Sequence, residues 1–151
     1  MNVGEICERD VITIGPRDDV FVAAQLMREK HVGFLVVVEP DAVDGTSRPI
    51  GVLTDRDIVI TVVARETNPR TLRVEDVMTR KPLTALSAAS LDDALRDMRR
   101  VGVRRVPVVG GQGELFGVIS LDDVLARLTE QLQNAAGAIR SGQRVERALR
   151  P

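Results

Sequence analysis

Two short segments carry the side chains whose types and spacing could do chemistry. Gly51-Val52-Leu53-Thr54-Asp55-Arg56-Asp57-Ile58 and Gly117-Val118-Ile119-Ser120-Leu121-Asp122-Asp123-Val124 each set a hydroxyl three residues before a carboxylate, where a β-branched run gives way to a helical pattern. Two uses compete for that spacing. A hydroxyl followed three residues later by an acid closes a helix-capping box, which any strand-to-helix junction can use. The same geometry offers a phosphate the N–H groups of a helix start with the hydroxyl as a further donor, and a carboxylate can accept both hydroxyls of a ribose.

Catalytic chemistry finds less support. Cys7 and His31 are the only residues of their kinds, and a nucleophilic cysteine needs a base within hydrogen-bond reach that the spacing does not supply. Cys7 reads as a small buried hydrophobe. His31 falls at the end of a helical pattern, where an imidazolium would favour the helix dipole, and reads as structural or solvated. No nucleophile-elbow, Walker or zincin sequence occurs. A metal centre would have to be built mainly from carboxylates, so no metal and no catalytic residues are expected.

Composition narrows the classes further. The chain has 151 residues, 44% hydrophobic and 28% charged, which is the globular range and excludes a disordered chain. Its only aromatic residues are Phe21, Phe34 and Phe116, too few for a base-stacking platform or an aromatic cage. Twenty-one basic against 22 acidic residues argue against nucleic acid as a partner. A single cysteine allows no intramolecular disulfide and predicts a reducing compartment. No run of 18 apolar residues occurs, and the N-terminal stretch with Glu5, Glu8 and Asp10 lacks a signal-peptide layout. The expectation is a cytoplasmic chain with no membrane partner.

The elements that must position the two junctions come from an internal repeat. Sliding the sequence by 71 residues sets Val3 on Val74, Thr13 on Thr84, Ala23 on Ala94, Met27 on Met98, Val32 on Val103 and Val38 on Val109. The offset then drops to 66, because the segment after Val38 is five residues longer than its counterpart, and Gly51-Val52-Leu53-Thr54 falls on Gly117-Val118-Ile119-Ser120. Each copy predicts the same order. A helical turn (Val3 to Cys7; Val74 to Met78) precedes a short strand (Val11 to Ile14; Pro82 to Leu86). A helix follows, with its apolar stripe at Val20, Ala23, Ala24 and Met27 or at Leu91, Ala94, Leu95 and Met98, and with Asp19 or Ser90 as N-cap. Two β-branched runs then read as strands buried on both faces, Phe34 to Val38 with Ile50 to Leu53 and Val106 to Val109 with Leu115 to Ile119. A tight Gly110-Gly111-Gln112-Gly113 loop joins the second pair, and a longer polar loop, Asp41 to Pro49, the first. A last helix starts at Thr54 or Ser120. The fold class is therefore α+β, built from two β-α-β-β-α repeats. Repeat 1 spans residues 1–65, a linker 66–73, repeat 2 residues 74–133, and a basic C-terminal tail 134–151, read as a frayed helix or disordered end, or as a docking segment.

With Asp76-Val77-Met78-Thr79, Val103-Arg104-Arg105-Val106-Pro107-Val108-Val109 and the two junctions, residues 1 to 132 resemble a tandem cystathionine β-synthase (CBS) domain pair, called a Bateman module. The resemblance implies that the two repeats pack sheet to sheet with pseudo-two-fold symmetry, and that two clefts between them bind adenosyl ligands such as AMP, ADP, ATP or S-adenosylmethionine, with no required cofactor. Carried over by position, Thr54 with Asp57 and Ser120 with Asp123 are the phosphate-side and ribose-side groups. Ile12, Val32 and Phe34 would line the Ser120/Asp123 cleft; Thr79, Leu83 and Val103 would line the Thr54/Asp57 cleft, with Arg56 available there. Arg105, beside Arg104, matches a basic phosphate contact, whereas copy one has Phe34 at the equivalent place. That difference predicts tighter binding of a phosphorylated ligand in the Ser120/Asp123 cleft.

The reading is a regulatory, nucleotide-sensing module without catalysis, acting on an unidentified effector protein. Its rivals are a stress-related adaptor or dimerisation protein that keeps the fold without a nucleotide, and a thiol enzyme using Cys7. A homodimer is expected, as the resemblance implies. The helix Ile58 to Ala64 is apolar on more sides than one sheet can cover, while Leu121, Val124, Leu125, Leu128 and Leu132 read as a one-sided buried stripe.

Overall fold

A computed structural model describes residues 1–40 and 43–150. The chain runs α1 (Val3–Ile6), β1 (Thr13–Ile14), α2 (Val20–Lys30), β2 (Phe34–Pro40), β3 (Ser47–Thr54) and α3 (Asp55–Ile58), the last continued by a π-helical turn over Val59–Val63. The second copy comes next as α4 (Val74–Val77), β4 (Thr79–Arg80), β5 (Ala85–Leu86), α5 (Leu91–Val101), β6 (Arg105–Val109), β7 (Leu115–Ser120) and α6 (Leu121–Leu149). The first sheet has the order β1-β2-β3-β4 and the second β5-β6-β7. Asp41 and Ala42, at the start of the expected polar loop, and Pro151 lie outside the described residues.

Local chemistry accounts for most boundaries. Asp19 and Ser90 cap α2 and α5 by accepting from Val22 N and Asp93 N. The two helices end at equivalent left-handed residues, His31 with φ 56° and Gly102 with φ 79°. Val20, Ala23 and Met27 are buried on α2 as Leu91, Ala94 and Met98 are on α5. On the central strands, Leu35, Val36 and Val37 of β2 and Val106 to Val109 of β6 are buried on consecutive positions, as strands covered on both faces require.

The two copies exchange their N-terminal segments. Val3 and Cys7 belong to the core of the second copy, with Met98, Val106, Val108 and Ile119. Val74 and Met78 belong to that of the first, with Met27, Leu35, Val37 and Leu53. The backbone bonds repeat across the exchange: Val3 N donates to Ala89 O and Gly4 N to Ser87 O, while Val74 N donates to Asp18 O and Glu75 N to Pro16 O, all at 2.8 to 3.0 Å. Val3 and Val74 are fully buried, each worth about 1.5–3 kcal/mol. β4 adds to the first sheet with Val52 opposite Thr79, and an isolated bridge sets Glu8 opposite Val118 in the same relation. Glycine lets these strands approach. A Cβ on Gly51 would stand 2.4 Å from Met78 Sδ, and one on Gly117 would stand 2.6 Å from Glu8 O and 2.8 Å from Cys7 Sγ.

The C-terminal expectations change. α6 is continuous from Leu121 to Leu149, so the segment from 134 onward extends the same helix. The stripe expected to be buried is mostly not: Val124 is buried, but Leu125 is 61% and Leu132 71% exposed, and Leu128 is also exposed. Val124 is the one buried residue of α6, and the exposure of the stripe begins with Leu125, in the second turn of the helix. Val59, Ile60 and Val63 of the π-helical turn are exposed as well, with Val62 buried, in line with the excess apolar surface read there.

The exchange predicts that a methyl at Gly117 cannot be absorbed, because its nearest neighbour is backbone. Gly117→Ala should lower unfolding free energy by roughly 1–3 kcal/mol in urea titrations. Gly111→Ala, which meets nothing within 4 Å, should leave it unchanged.

Candidate functional site

Both junctions form the capping box that their spacing allows. At the first, Thr54 Oγ1 accepts from Asp57 N at 3.1 Å and Asp57 Oδ2 accepts from Thr54 N at 2.9 Å. At the second, Ser120 Oγ accepts from Asp123 N at 3.1 Å and Asp123 Oδ2 accepts from Ser120 N at 3.2 Å. The Ser120 hydroxyl also donates to Asp123 Oδ2. Capping does not exhaust either carboxylate: it engages Oδ2, and a carboxylate carries about four acceptor sites on its two oxygens. Each junction is tied to the strand beside it, since Asp55 N donates to Gly33 O at 3.0 Å and Leu121 N to Arg104 O at 2.9 Å.

Each junction opens on a cleft whose opposite wall comes from the other copy. The Thr54/Asp57 cleft, of about 530 Å³, gathers Thr54, Arg56 and Asp57 with Thr79, Leu83, Val103, Arg104 and Arg105. The Ser120/Asp123 cleft, of about 300 Å³, gathers Ser120 and Asp123 with Ile12, Val32, Phe34 and Arg105. Both volumes are in the range of small-molecule sites. The structure therefore brings the residues singled out from sequence into two groups, each built from both copies.

Arg105 borders both clefts, with its guanidinium 5.9 Å from the centre of the Phe34 ring, which also borders both. The contrast between Arg105 and Phe34 thus cannot rank the clefts, because the two side chains face each other on the wall they share. Arg104 lies on the Thr54/Asp57 side, 3.8 Å from Asp122 in a largely exposed ion pair, a contact of small energetic weight.

Sequence reading missed several lining residues. Lys81, Asp55 and Gly102 line the Thr54/Asp57 cleft, and Glu8, Asp10 and His31 line the other. The signal lay in the repeat itself, for the 71-residue offset sets Glu8 on Thr79, Asp10 on Lys81 and His31 on Gly102. Lys81 also holds a left-handed backbone at φ 46°, which a lysine adopts at an energetic disadvantage of about 1–2 kcal/mol.

Cys7 sits outside this chemistry. It is 9% exposed, packed in the second core, and burial raises its thiol above the ordinary value, partly opposed by Arg9. Among the described residues no cluster of three or more His, Cys, Asp or Glu could hold a metal ion, and no helix is long and apolar enough to cross a membrane.

Comparison with known proteins agrees with this architecture. The CBS domain model matches residues 3–64 and 74–130. The chain belongs to the CBS domain family and has the fold of a CBS domain pair. It is 34% identical over 125 residues to an uncharacterized protein of Methanopyrus kandleri, covering 83% of this chain and 61% of that one. A CBS domain protein of Pyrobaculum aerophilum complexed with AMP superposes with a TM-score of 0.70 at 26% identity, over 82% of this chain and 89% of that one. A hexameric CBS-CP12 protein from bloom-forming cyanobacteria gives 0.73 at 28% identity, over 99% of this chain and 83% of that one.

The packing of Cys7 makes a direct prediction about its reactivity. A raised thiol pKa leaves less thiolate at neutral pH, so native protein at pH 7.5 should react with iodoacetamide at least about tenfold more slowly than protein unfolded in urea. Equal rates, followed by mass spectrometry, would place the thiol at the surface.

Proposed function

We propose that the chain is a regulatory module that senses adenosyl nucleotides in the two clefts between its CBS repeats and carries out no catalysis of its own. The observation that carries this reading is the composition of each cleft. A hydroxyl and a carboxylate from one copy's strand-helix junction share each cleft with apolar residues of the other copy, with Arg105 bordering both clefts and Arg56, Lys81 and Arg104 lining the Thr54/Asp57 cleft. Apolar walls suit an adenine ring, a carboxylate with an uncommitted oxygen suits a ribose diol, and a guanidinium suits phosphate. The relative from Pyrobaculum aerophilum binds AMP, which supports the same ligand class here, with ADP, ATP and S-adenosylmethionine as the related candidates.

The site residues proposed are Thr54, Arg56, Asp57, Thr79, Leu83, Val103, Arg104 and Arg105 for one cleft, and Ser120, Asp123, Ile12, Val32 and Phe34 for the other, which Arg105 also borders. A saturating ligand at about 100 times its Kd adds roughly 2.7 kcal/mol to native stability, enough to raise Tm by several degrees. A thermal-shift screen with AMP, ADP, ATP and S-adenosylmethionine should therefore give a clear rise. Asp57→Asn and Asp123→Asn each keep an acceptor for the cap but lose the anionic partner of the diol, and should weaken binding in their own cleft by roughly tenfold or more. No shift with any of the four would favour the adaptor reading.

We further propose that the module works as a cytoplasmic homodimer and that α6 takes part in the contact. Its exposed Leu125, Leu128, Leu132 and Ile139 are spaced by three, four and seven residues, the heptad pattern of a two-helix seam. Charge favours a second copy in antiparallel register. The first half of the helix carries Asp122, Asp123 and Glu130 against Arg127; the second carries Arg140, Arg144 and Arg147 against Glu146, with Arg150 at its C-cap. Light scattering should give twice 16.5 kDa for the native chain, and close to the monomer mass for Leu125→Glu combined with Leu132→Glu. A dimer that survives both changes would exclude α6 from the interface.

A further inference from the structure

The two clefts descend from one pattern, yet their charges are opposite. The Thr54/Asp57 cleft is lined by four cationic side chains, Arg56, Lys81, Arg104 and Arg105, against the two carboxylates of Asp55 and Asp57. The Ser120/Asp123 cleft is lined by the carboxylates of Glu8, Asp10 and Asp123 against Arg105 alone, beside His31. The difference can be traced to equivalent positions of the repeat. Where the Thr54/Asp57 cleft has Thr79, Lys81 and Arg104, the Ser120/Asp123 cleft has Glu8, Asp10 and Gly33. Each of these three changes makes the Ser120/Asp123 side less positive or more negative, and the replacement of Asp55 by Leu121 offsets only one charge of that difference.

Few other charges compensate. Among the described residues none of the ion pairs involves Arg56, Lys81 or Arg105. Arg104 is the exception, with its exposed contact to Asp122. The cations around Thr54 are therefore available to an incoming anion. On the other side, a phosphate entering the Ser120/Asp123 cleft, of about 300 Å³, would face the like charges of Glu8, Asp10 and Asp123.

Resting on the nucleotide reading above, we propose that the clefts sort adenosyl ligands by charge: the Thr54/Asp57 cleft takes the phosphorylated nucleotide, and the Ser120/Asp123 cleft takes a phosphate-free adenosyl ligand, neutral or cationic. Lys81 and Asp10 are the two equivalent residues that set the sign. The module then reports two classes of metabolite independently, through two sites that share the Arg105–Phe34 wall.

The test is calorimetry with AMP, adenosine and S-adenosylmethionine on the native chain, on Lys81→Asp and on Asp10→Lys. Asp tolerates the left-handed backbone at position 81 at least as well as Lys, and the Asp10 side chain is exposed and makes no cap, so both variants keep the fold. The native chain should bind one AMP. Lys81→Asp should weaken AMP by roughly tenfold or more while adenosine changes less than about twofold. Asp10→Lys should weaken S-adenosylmethionine and raise the AMP stoichiometry toward two. Raising salt should weaken AMP and leave adenosine nearly constant. An AMP affinity of Lys81→Asp within about twofold of the native chain's, or loss of AMP binding in Asp10→Lys, would overturn the sorting alone. Absence of heat from all three ligands would overturn the nucleotide reading and the sorting with it.

Discussion

The structure depends on the exchange of two short N-terminal segments between the halves of the chain. Each contributes a single fully buried valine, Val3 or Val74, and a sulfur-bearing side chain, Cys7 or Met78, to the opposite core. Neither half completes its core from its own residues. The exchange also fixes the path of the chain beyond each segment. Once Glu8 is bridged to Val118, and Thr79 is paired with Val52, the chain runs past the other copy's strand-helix junction. The wall of each cleft is thus a consequence of where the core valines are buried, and the close approach of Gly51 and Gly117 to the exchanged segments is the steric condition for it.

Symmetry of this kind supplies two sites from one design, and leaves their chemistry free to diverge. The backbone relations are the same on both sides: the junction amides of Asp55 and Leu121 bond to Gly33 and Arg104, and both capping boxes are formed. Among the charged side chains that line the clefts, Glu8, Asp10, Lys81, Arg104 and Arg105 are exposed and belong to neither core. Hydroxyl and carboxylate at each junction serve the helix cap and still present acceptor capacity to the cleft. Structural and binding uses of the motif are in this sense compatible, which is why the spacing by itself could not separate them.

The sequence carried the repeat, the element order and the helix starts, because those signals are local: an apolar stripe every three or four residues, Asp19 and Ser90 as caps, a β-branched run on each central strand. It carried the grouping of cleft residues only through the resemblance to CBS pairs. Three features were not legible. The strand at Thr79–Arg80 has no pattern of its own and exists because β3 offers it an edge. The position of Arg105 between both clefts depends on how the halves are set against each other, as does its contact with Phe34. Leu125, Leu128 and Leu132 have the spacing of a buried face, and periodicity cannot tell a helix packed on its own sheet from one left apolar beyond it. The charge reversal between Asp10 and Lys81 was present in the aligned repeats, but it acquired meaning only when both were placed at the mouths of equivalent clefts.

If an intertwined pair of repeats builds two nucleotide clefts of unlike charge, a crystal structure of the chain grown with excess AMP will show it. AMP should occupy the Thr54/Asp57 cleft, with its ribose on the Asp57 carboxylate and its phosphate among Arg56, Lys81 and Arg105. AMP seated against Asp123 with the Thr54/Asp57 cleft empty, or found in neither cleft, would contradict it.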